Sequence, residues 1–272
     1  MHLIRNAAVA GLFYPDDPKE LRHVVSRFLN DTQTSAPDIT VPKALIVPHA
    51  GYVYSGSAAA TGFSRLLPFK QLIKQIVLLG PSHRVGFTGL AVSDALYYQT
   101  PLGDIPIDRS AIDNILKLPQ VSIIEQAHAQ EHSLEVQLPF LQEILDDFTL
   151  VPIVVGDAST ESVSEVLETL WGNESTLILI SSDLSHFHNY QAAQRLDIHT
   201  CSAIEALQPD EIGFDNACGR NPIKGLLLSA TQHNLSATTL ALWNSYDSAG
   251  NTPEDKSRVV GYGCWMFTSN QQ

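Results

Sequence analysis

Residues 44–52 read ALIVPHAGY, and this stretch decides the fold. Four apolar residues, two of them β-branched, run directly into a turn that contains His49. A continuous apolar run of this length is typical of a strand buried on both faces of a sheet. Residues 76–84 (IVLLGPSHR) and 177–188 (LILISSDLSHFH) repeat the pattern, so three predicted strands each end in a turn that carries histidine.

Apolar runs alternate with helix-period segments along the whole chain. The predicted strands are 44–47, 76–79, 89–92, 121–124, 150–155, 177–180 and 259–267. The predicted helices are 18–29, 54–67, 110–116, 133–145, 160–171, 190–206 and 222–233. This alternation predicts an α/β fold, with a central mixed, largely parallel β-sheet flanked by helices. Because no repeat or flexible linker divides the chain, we expect residues 1–272 to form one layered domain, with polar connections at 30–42 and 244–257.

Composition excludes several classes of protein. The chain has 272 residues, a formal charge of −13 and 44% hydrophobic residues, which is incompatible with whole-chain disorder. The acidic balance argues against a nucleic-acid-binding surface. No apolar run reaches the roughly 18–20 residues that cross a bilayer, and the N-terminal residues do not resemble a signal peptide. Three widely spaced cysteines are too few for a disulfide framework, so we expect a cytoplasmic protein that binds neither nucleic acid nor membrane.

The histidine-bearing turns indicate a site. Carboxyl ends of parallel strands share one edge of a sheet, and ligand sites gather in the crevice beyond that edge. We therefore expect His49, His83, His186 and His188 to lie near one another, with Asp183 beside them. Any one of these histidines alone would be interpreted as an ordinary hydrogen-bonded turn residue. Three such turns after buried strands favour a functional site, and histidine is the commonest metal ligand.

Cys218 is the cysteine that best fits such a site. It lies in ACGRNPIKGLLL (217–228), where Asn221 is the predicted cap of a helix. A helix N-terminus and the nearby Arg220 would both lower the pKa of the thiol and favour the thiolate that binds metals. The alternative is a small buried residue without chemistry.

Residues 128–132 read HAQEH, which has two interpretations. As one helix, the stretch would place His128 and His132 on the same face, as in the inverted zinc-peptidase motif. Alternatively, Ser133 caps a helix that starts only there. Glu131 and His132 would then line or support the crevice.

Eight motifs together carry a resemblance that spans most of the chain. They are RNAAVAGLFYP (5–15), VPHAGYVYSG (47–56), LLGPSHR (78–84), EHSLEVQLPFL (131–141), VPIVVGD (151–157), SSDLSHF (181–187), CGRNPI (218–223) and VVGYGCW (259–265). In this order they resemble the Memo family (mediator of ErbB-driven cell motility), whose prokaryotic members are called AmmeMemoRadiSam system protein B. The family fold is similar to that of the LigB-type class III extradiol dioxygenases.

The resemblance implies a metal site. His49, His83 and Cys218 match the family positions that bind iron or copper, and zinc is possible. His186 matches the acid/base histidine of the dioxygenases, and Asp183 lies beside it. The remaining pocket candidates are Glu131, His132, His188, Tyr54 and Arg220. A cysteine in place of the dioxygenase carboxylate favours softer metals, so the resemblance does not imply ring cleavage.

Two functions remain open at this point. The first is a metal-dependent, dioxygenase-like oxidoreductase that acts on an unknown small molecule or peptide. The second is a non-catalytic binding or adaptor module for a peptide or protein partner, with Tyr52, Tyr54 and Arg84 at the mouth of the crevice. The alternative for both tyrosines is aromatic packing.

Overall fold

The structure is a computed structural model that describes residues 3–32, 40–248 and 256–270. The strands in these ranges are β1 (Ile4–Arg5), β2 (Ala44–Val47), β3 (Gln75–Pro81), β4 (Leu90–Val92), β5 (Tyr97–Thr100), β6 (Gly103–Pro106), β7 (Val121–Ile123), β8 (Thr149–Val155), β9 (Thr176–Ser181), β10 (His186–His188), β11 (Leu235–Asn244) and β12 (Val259–Ser269). The helices are α1 (Pro18–Asp31), α2 (Tyr52–Phe63), α3 (Arg109–Ile115), α4 (Glu125–Ala129), α5 (His132–Glu135), α6 (Leu138–Ile144), α7 (Thr160–Leu170), α8 (Tyr190–Glu205), α9 (Arg220–Gln232) and α10 (Ser245–Ser248). Short 3₁₀ helices occur at Ser64–Phe69 and Pro209–Glu211.

A nine-stranded sheet forms the centre of the fold. Its strand order is β10-β12-β2-β9-β3-β8-β4-β7, and β11 pairs with β12. The four central strands β2, β9, β3 and β8 run parallel. Antiparallel pairing begins on either side of them, where β12 joins β2 and β4 joins β8. The predicted α/β fold with a central mixed sheet is therefore confirmed.

The central strands consist of continuous apolar sequence because both of their faces are covered. Every residue of β2 and β9 is buried, and β3 is buried from its second residue onward. Helix α2 packs against β2 and β12, whereas α9 packs against β3 and β9. This packing holds the carboxyl ends of β2, β9 and β3 in a fixed relation to one another.

Several helices begin at a side chain that binds their first amide groups. Asp17 caps α1, Ser159 caps α7 and Asn189 caps α8. A cap of this kind stabilises a helix by about 1 kcal/mol. Among the helices in the described ranges, none has the length and apolar character needed to cross a membrane.

The structure differs from the sequence prediction mainly at short or half-exposed elements. The predicted helix over 133–145 is two short helices, α5 and α6, with a break between them. Strands β1, β5, β6, β10 and β11 are absent from the prediction. In β11 most residues are only partly buried, so the continuous apolar run that marks the central strands is missing. The predicted polar connections at 30–42 and 244–257 lie partly outside the described residues.

Candidate metal centre

Three neighbouring parallel strands position the polar residues of the candidate site. His49 follows β2, Asp183 follows β9 and His83 follows β3, with β9 between the other two strands. The backbone N–H of His49 donates to Asp183 Oδ1 at 2.7 Å and so connects two of the turns. The structure brings the predicted turns together because the carboxyl ends of parallel strands share one sheet edge.

Hydrogen bonds fix the tautomer of His49. Its Nδ1 lies 2.9 Å from Ser181 Oγ. The single hydroxyl proton of Ser181 is donated to Ser133 O at 2.5 Å, so the serine oxygen accepts from the ring. Nδ1 therefore carries the proton and Nε2 keeps its lone pair. Burial lowers the pKa of His49 well below its usual value, which keeps the ring in the neutral form that binds metals.

Glu131 orients His83. Oε1 of the carboxylate accepts from His83 Nδ1 at 2.8 Å, and Oε2 accepts from the His83 backbone N–H at 2.6 Å. Burial alone would raise the pKa of Glu131, but its contacts with His83 and with a backbone amide lower it to about 2. A carboxylate on Nδ1–H makes a histidine a better oriented and more basic ligand at Nε2.

His132 is held by the same carboxylate. Glu131, not the predicted Ser133, caps α5, and its Oε1 accepts from the N–H groups of His132 and Ser133 at 3.0 Å. The His132 ring lies 4.5 Å from the His83 ring and 5.4 Å from the His49 ring, between centroids. One ring nitrogen of each histidine lies within 4.8 Å of the other two. Among the described residues, these three rings form a group that fits a shared metal ion.

Cys218 reaches the cluster from the beginning of α9. Its Sγ lies 3.3 Å from His49 Nε2, the nitrogen that keeps its lone pair. Gly219 permits this approach, since a Cβ at that position would lie 2.6 Å from Ser182 Cβ. The thiol and the imidazole therefore adjoin at the end of β9, although the two residues are far apart in sequence.

Two local expectations around Cys218 are wrong. Burial raises the pKa of the thiol, and the neighbouring Asp183 carboxylate raises it further, whereas the sequence predicts a lowered pKa. Helix α9 begins with Gly219 as its N-cap, and Asn221 instead donates from Nδ2 to Gly156 O at 2.9 Å. Burial is a tertiary effect, which the residues flanking Cys218 do not indicate.

His186 and Asp183 lie close to the histidine cluster. His186 begins β10, and its Nδ1 donates to Leu184 O at 2.8 Å, which leaves Nε2 able to accept a proton. Burial raises the pKa of Asp183, while the His49 amide and the charge of His186 oppose the rise. The charge of His186 also contributes to the lowered pKa of His49. The structure therefore places His186 within electrostatic range of both residues.

The stretch 128–132 does not form one metal-binding helix. His128 lies in α4, whereas His132 begins α5. Both nitrogens of the buried His128 are occupied, because Tyr98 Oη donates to Nδ1 at 2.5 Å and Nε2 donates to Ala91 O at 3.0 Å. The zinc-peptidase interpretation of this stretch is therefore wrong.

A buried ion pair that the sequence reasoning missed supports the loop around Glu131. Arg5 and Glu135 are 5% and 0% exposed and contact each other directly. Arg5 also donates to His128 O at 3.0 Å and to Glu131 O at 2.7 Å. Glu135 accepts three further hydrogen bonds, from the N–H groups of Ala8 and Val9 and from the Tyr14 hydroxyl. The available signal was a charged residue next to apolar sequence in each of the motifs 5–15 and 131–141.

The residues expected at the mouth of the crevice differ in position. Tyr52 is buried and donates from its hydroxyl to Val136 O at 2.8 Å, so its expected place at the mouth is wrong and the packing alternative is confirmed. Tyr54 is 38% exposed on the first turn of α2. Arg84 is exposed next to His83.

Two further pocket candidates, His188 and Arg220, have their contacts outside the three clustered imidazoles. His188 ends β10, and its charge acts on the buried Asp197 carboxyl. Arg220 begins α9, and its guanidinium lies 4.8 Å from the centroid of the Phe214 ring. The structure gives neither residue a contact with the three clustered imidazoles.

The donor set fits a transition-metal ion. Nδ1 of His132 is buried and lies 3.3 Å from Glu131 Oε1, but the two atoms do not form a hydrogen bond. Burial and the neighbouring imidazoles lower the pKa of His132 to about 4, so this ring is also neutral. Imidazoles bind zinc, copper and iron, and a thiol adds a soft donor that magnesium and calcium disfavour.

Replacing Glu131 by glutamine is expected to weaken metal binding by about 10–100-fold. The glutamine amide would turn a donor toward either the ring or the backbone N–H of His83, so one of the two hydrogen bonds would be lost. A competition titration with a coloured chelator measures the affinity. Glu165→Gln, at an exposed carboxylate on α7, is the control and should leave the affinity unchanged. Equal affinities of the two variants would contradict the assigned role of Glu131.

Comparison with solved structures supports the fold. An uncharacterized protein from Escherichia coli K12 matches with a TM-score of 0.53 and 12% sequence identity. The match covers 82% of this chain and 98% of that one. At this identity the likeness concerns the fold alone.

Sequence comparison supports the family. A relative from Aquifex aeolicus, described as a MEMO1 family protein, is 36% identical over 278 residues, which cover 97% of this chain and 99% of the relative. A relative from Ignicoccus hospitalis with the same description is 32% identical over 289 residues, with 97% and 99% covered. A family model described as Memo-like protein matches residues 5–266. The chain therefore belongs to the Memo family.

Proposed function

We propose that the protein is a metal-dependent oxidoreductase with one iron or copper ion bound by His49, His83 and Cys218. The observation that carries the proposal is the contact of 3.3 Å between Cys218 Sγ and the unprotonated nitrogen of His49. Ligand distances of about 2.3 Å for sulfur and about 2.0 Å for nitrogen place neighbours on a tetrahedral ion about 3.5 Å apart. The two atoms are thus spaced as ligands of one ion.

His132 is the alternative third ligand. One of its ring nitrogens lies within 4.8 Å of those of His49 and His83. A site of three histidines would suit zinc, whereas a thiolate beside two histidines is softer and favours copper. The family resemblance favours Cys218, and His132 then lines the site.

When bound, the metal would supply redox or Lewis-acid chemistry at an open coordination position. The chain provides the remaining functions. Ser181 holds the His49 ring at Nδ1, and Glu131 holds the His83 ring at Nδ1. Nε2 of each ring is therefore available to the metal. His186 can accept or release a proton at Nε2, because its Nδ1 is held by a carbonyl. The His83 side chain is 28% exposed, so a small molecule can approach from that side.

Metal analysis of anaerobically purified protein tests the proposal. We expect about one equivalent of iron or copper in the wild type, a loss of at least about tenfold in Cys218→Ala, and near-normal content in His132→Ala. The matched control is Cys201→Ala, which removes a partly buried thiol from α8. If His132→Ala loses the metal and Cys218→Ala retains it, the third ligand is His132 and not Cys218. A wild type without stoichiometric metal would overturn the proposal.

A further inference from the structure

The peptide group between Leu184 and Ser185 links a buried carboxyl group to His186. Its C=O accepts from His186 Nδ1 at 2.8 Å, and its N–H donates to Asp197 Oδ1 at 3.1 Å. A trans peptide group such as this one is planar, and its C=O and N–H point in opposite directions. The Asp197 carboxyl group and the His186 ring therefore bind the two ends of one rigid unit.

Gly261 of β12 holds the same backbone segment. Its C=O accepts from the N–H of Leu184 at 2.8 Å, and its N–H donates to Ser185 O at 2.9 Å. The carboxyl group of Asp197 packs directly against this glycine, because a Cβ at position 261 would lie 2.1 Å from Asp197 Oδ2. The absence of a side chain at Gly261 thus leaves the space that the carboxyl group occupies.

Stability does not account for the charge on Asp197, which is buried on α8. Burial raises the pKa of Asp197 to about 6, while hydrogen bonding from Ser185 and the charge of His188 oppose the rise. Because this pKa is above that of an aspartate in an unfolded chain, ionisation of Asp197 at neutral pH opposes folding. A buried carboxylate that is charged at such a cost is typical of a functional site.

The residue that follows His186 has an unusual backbone conformation. Phe187 has a φ of 61°, which is strained for a residue with a bulky side chain. Its ring is exposed, so burial of the ring does not explain the conformation. The pairing of β10 with β12 also shifts register between His186 and His188. An irregularity of this kind redirects the side chains beside it, and His186 is one of them.

We propose that Asp197 is a positioning residue for His186. Through the shared peptide group it directs Leu184 O at the imidazole, which keeps the proton on Nδ1 and the lone pair on Nε2. The hydrogen bond at one nitrogen of a histidine decides which nitrogen carries the proton. The inference deepens the proposed function and rests on it, because His186 is the acid/base residue there. The tautomer itself needs no metal, so it can be measured separately.

NMR spectroscopy of isotopically labelled imidazole nitrogens, in the metal-free protein, measures the tautomer of the neutral His186 ring. The signals of this ring are those that His186→Gln removes. We expect the Nδ1–H form to predominate in the wild type. Asp197→Ala should lower the ratio of the Nδ1–H form to the Nε2–H form at least about fivefold, since one hydrogen bond is worth about that factor. Asp197→Asn should stay within about twofold of the wild type, because its amide oxygen can accept from the same N–H.

Glu205→Ala is the matched control. It removes another carboxylate from α8, but that carboxylate accepts from the hydroxyl of Thr239 at 2.7 Å and does not contact the 184–185 peptide group. The tautomer ratio should not change. A predominant Nε2–H form in the wild type, a wild-type ratio in Asp197→Ala, or an equal loss in Asp197→Asn would each overturn the inference. The first of these outcomes needs no variant, so it decides even if Asp197→Ala fails to fold.

Metal content separates this inference from the proposed function. Asp197 binds the backbone of Ser185 and not a proposed metal ligand, so Asp197→Ala should retain the metal content of the wild type. Loss of metal in this variant would indicate a general effect on the site and would overturn the inference. An Asp197-dependent tautomer in a protein whose wild type holds no metal would support the positioning role and contradict the oxidoreductase. Stoichiometric metal with a tautomer independent of Asp197 would contradict the positioning role alone.

Discussion

Replacing His49 by alanine is expected to remove metal binding almost completely. His49 is 1% exposed, its tautomer is set by Ser181, and its Nε2 lies beside the Cys218 thiol. The loss of affinity should exceed the roughly 100-fold that removal of a supporting residue causes. Metal content after anaerobic purification, together with a chelator competition titration, measures it.

The control for this change is His233→Ala. His233 is stacked on Trp171 at the end of α9 and hydrogen-bonded to Glu168, outside the cluster. It should leave the metal content unchanged. Because alanine at the buried His49 position also risks the fold, His83→Ala repeats the test at a ring that is 28% exposed. Wild-type metal content in both His49→Ala and His83→Ala would exclude the site.

Replacing Glu135 by glutamine is expected to destabilise the protein by about 3–5 kcal/mol. Arg5 would keep a buried charge without its partner, and the amide would turn N–H donors toward Ala8 N–H, Val9 N–H or the guanidinium. Breaking a buried ion pair is costly because the remaining charge cannot return to water. Urea unfolding should show a lower midpoint with an unchanged slope.

The control for Glu135 is Asp146→Asn. Asp146 pairs with Lys70 at 3.3 Å, and both side chains are nearly half exposed. Exposed pairs contribute about 0–1 kcal/mol, so this variant should unfold close to the wild type. Equal midpoints for Glu135→Gln and Asp146→Asn would show that the buried pair adds nothing to stability.

The edge of the sheet at which the site lies was predictable from the sequence. Short β-branched runs before His49, His83 and Asp183 indicated buried parallel strands, and parallel strands deliver their following turns to one edge. The structure brings these turns together as expected. Convergence follows from sheet geometry, so it needs no knowledge of individual contacts.

The detailed chemistry of the site was not predictable from spacing. Ser133 is the better local cap, yet Glu131 takes that role because its carboxylate also binds His83 across 48 residues of sequence. The sequence around Cys218 favours a thiolate, but burial among distant elements raises its pKa instead. Arg5 and Glu135 meet over a separation of 130 residues. Each of these outcomes depends on residues that only the tertiary fold brings together.

The separation of His49 and Cys218 has a consequence for the order of assembly. The two side chains that meet at the end of β9 are 169 positions apart. During synthesis His49 and His83 leave the ribosome long before Cys218 does. A partial chain therefore has two of the proposed ligands and lacks the third. The entropy cost of closing so long a loop grows only with the logarithm of its length. Formation of the sheet offsets this cost before any ion binds. Metal uptake is therefore expected to be a late event that acts on completed molecules.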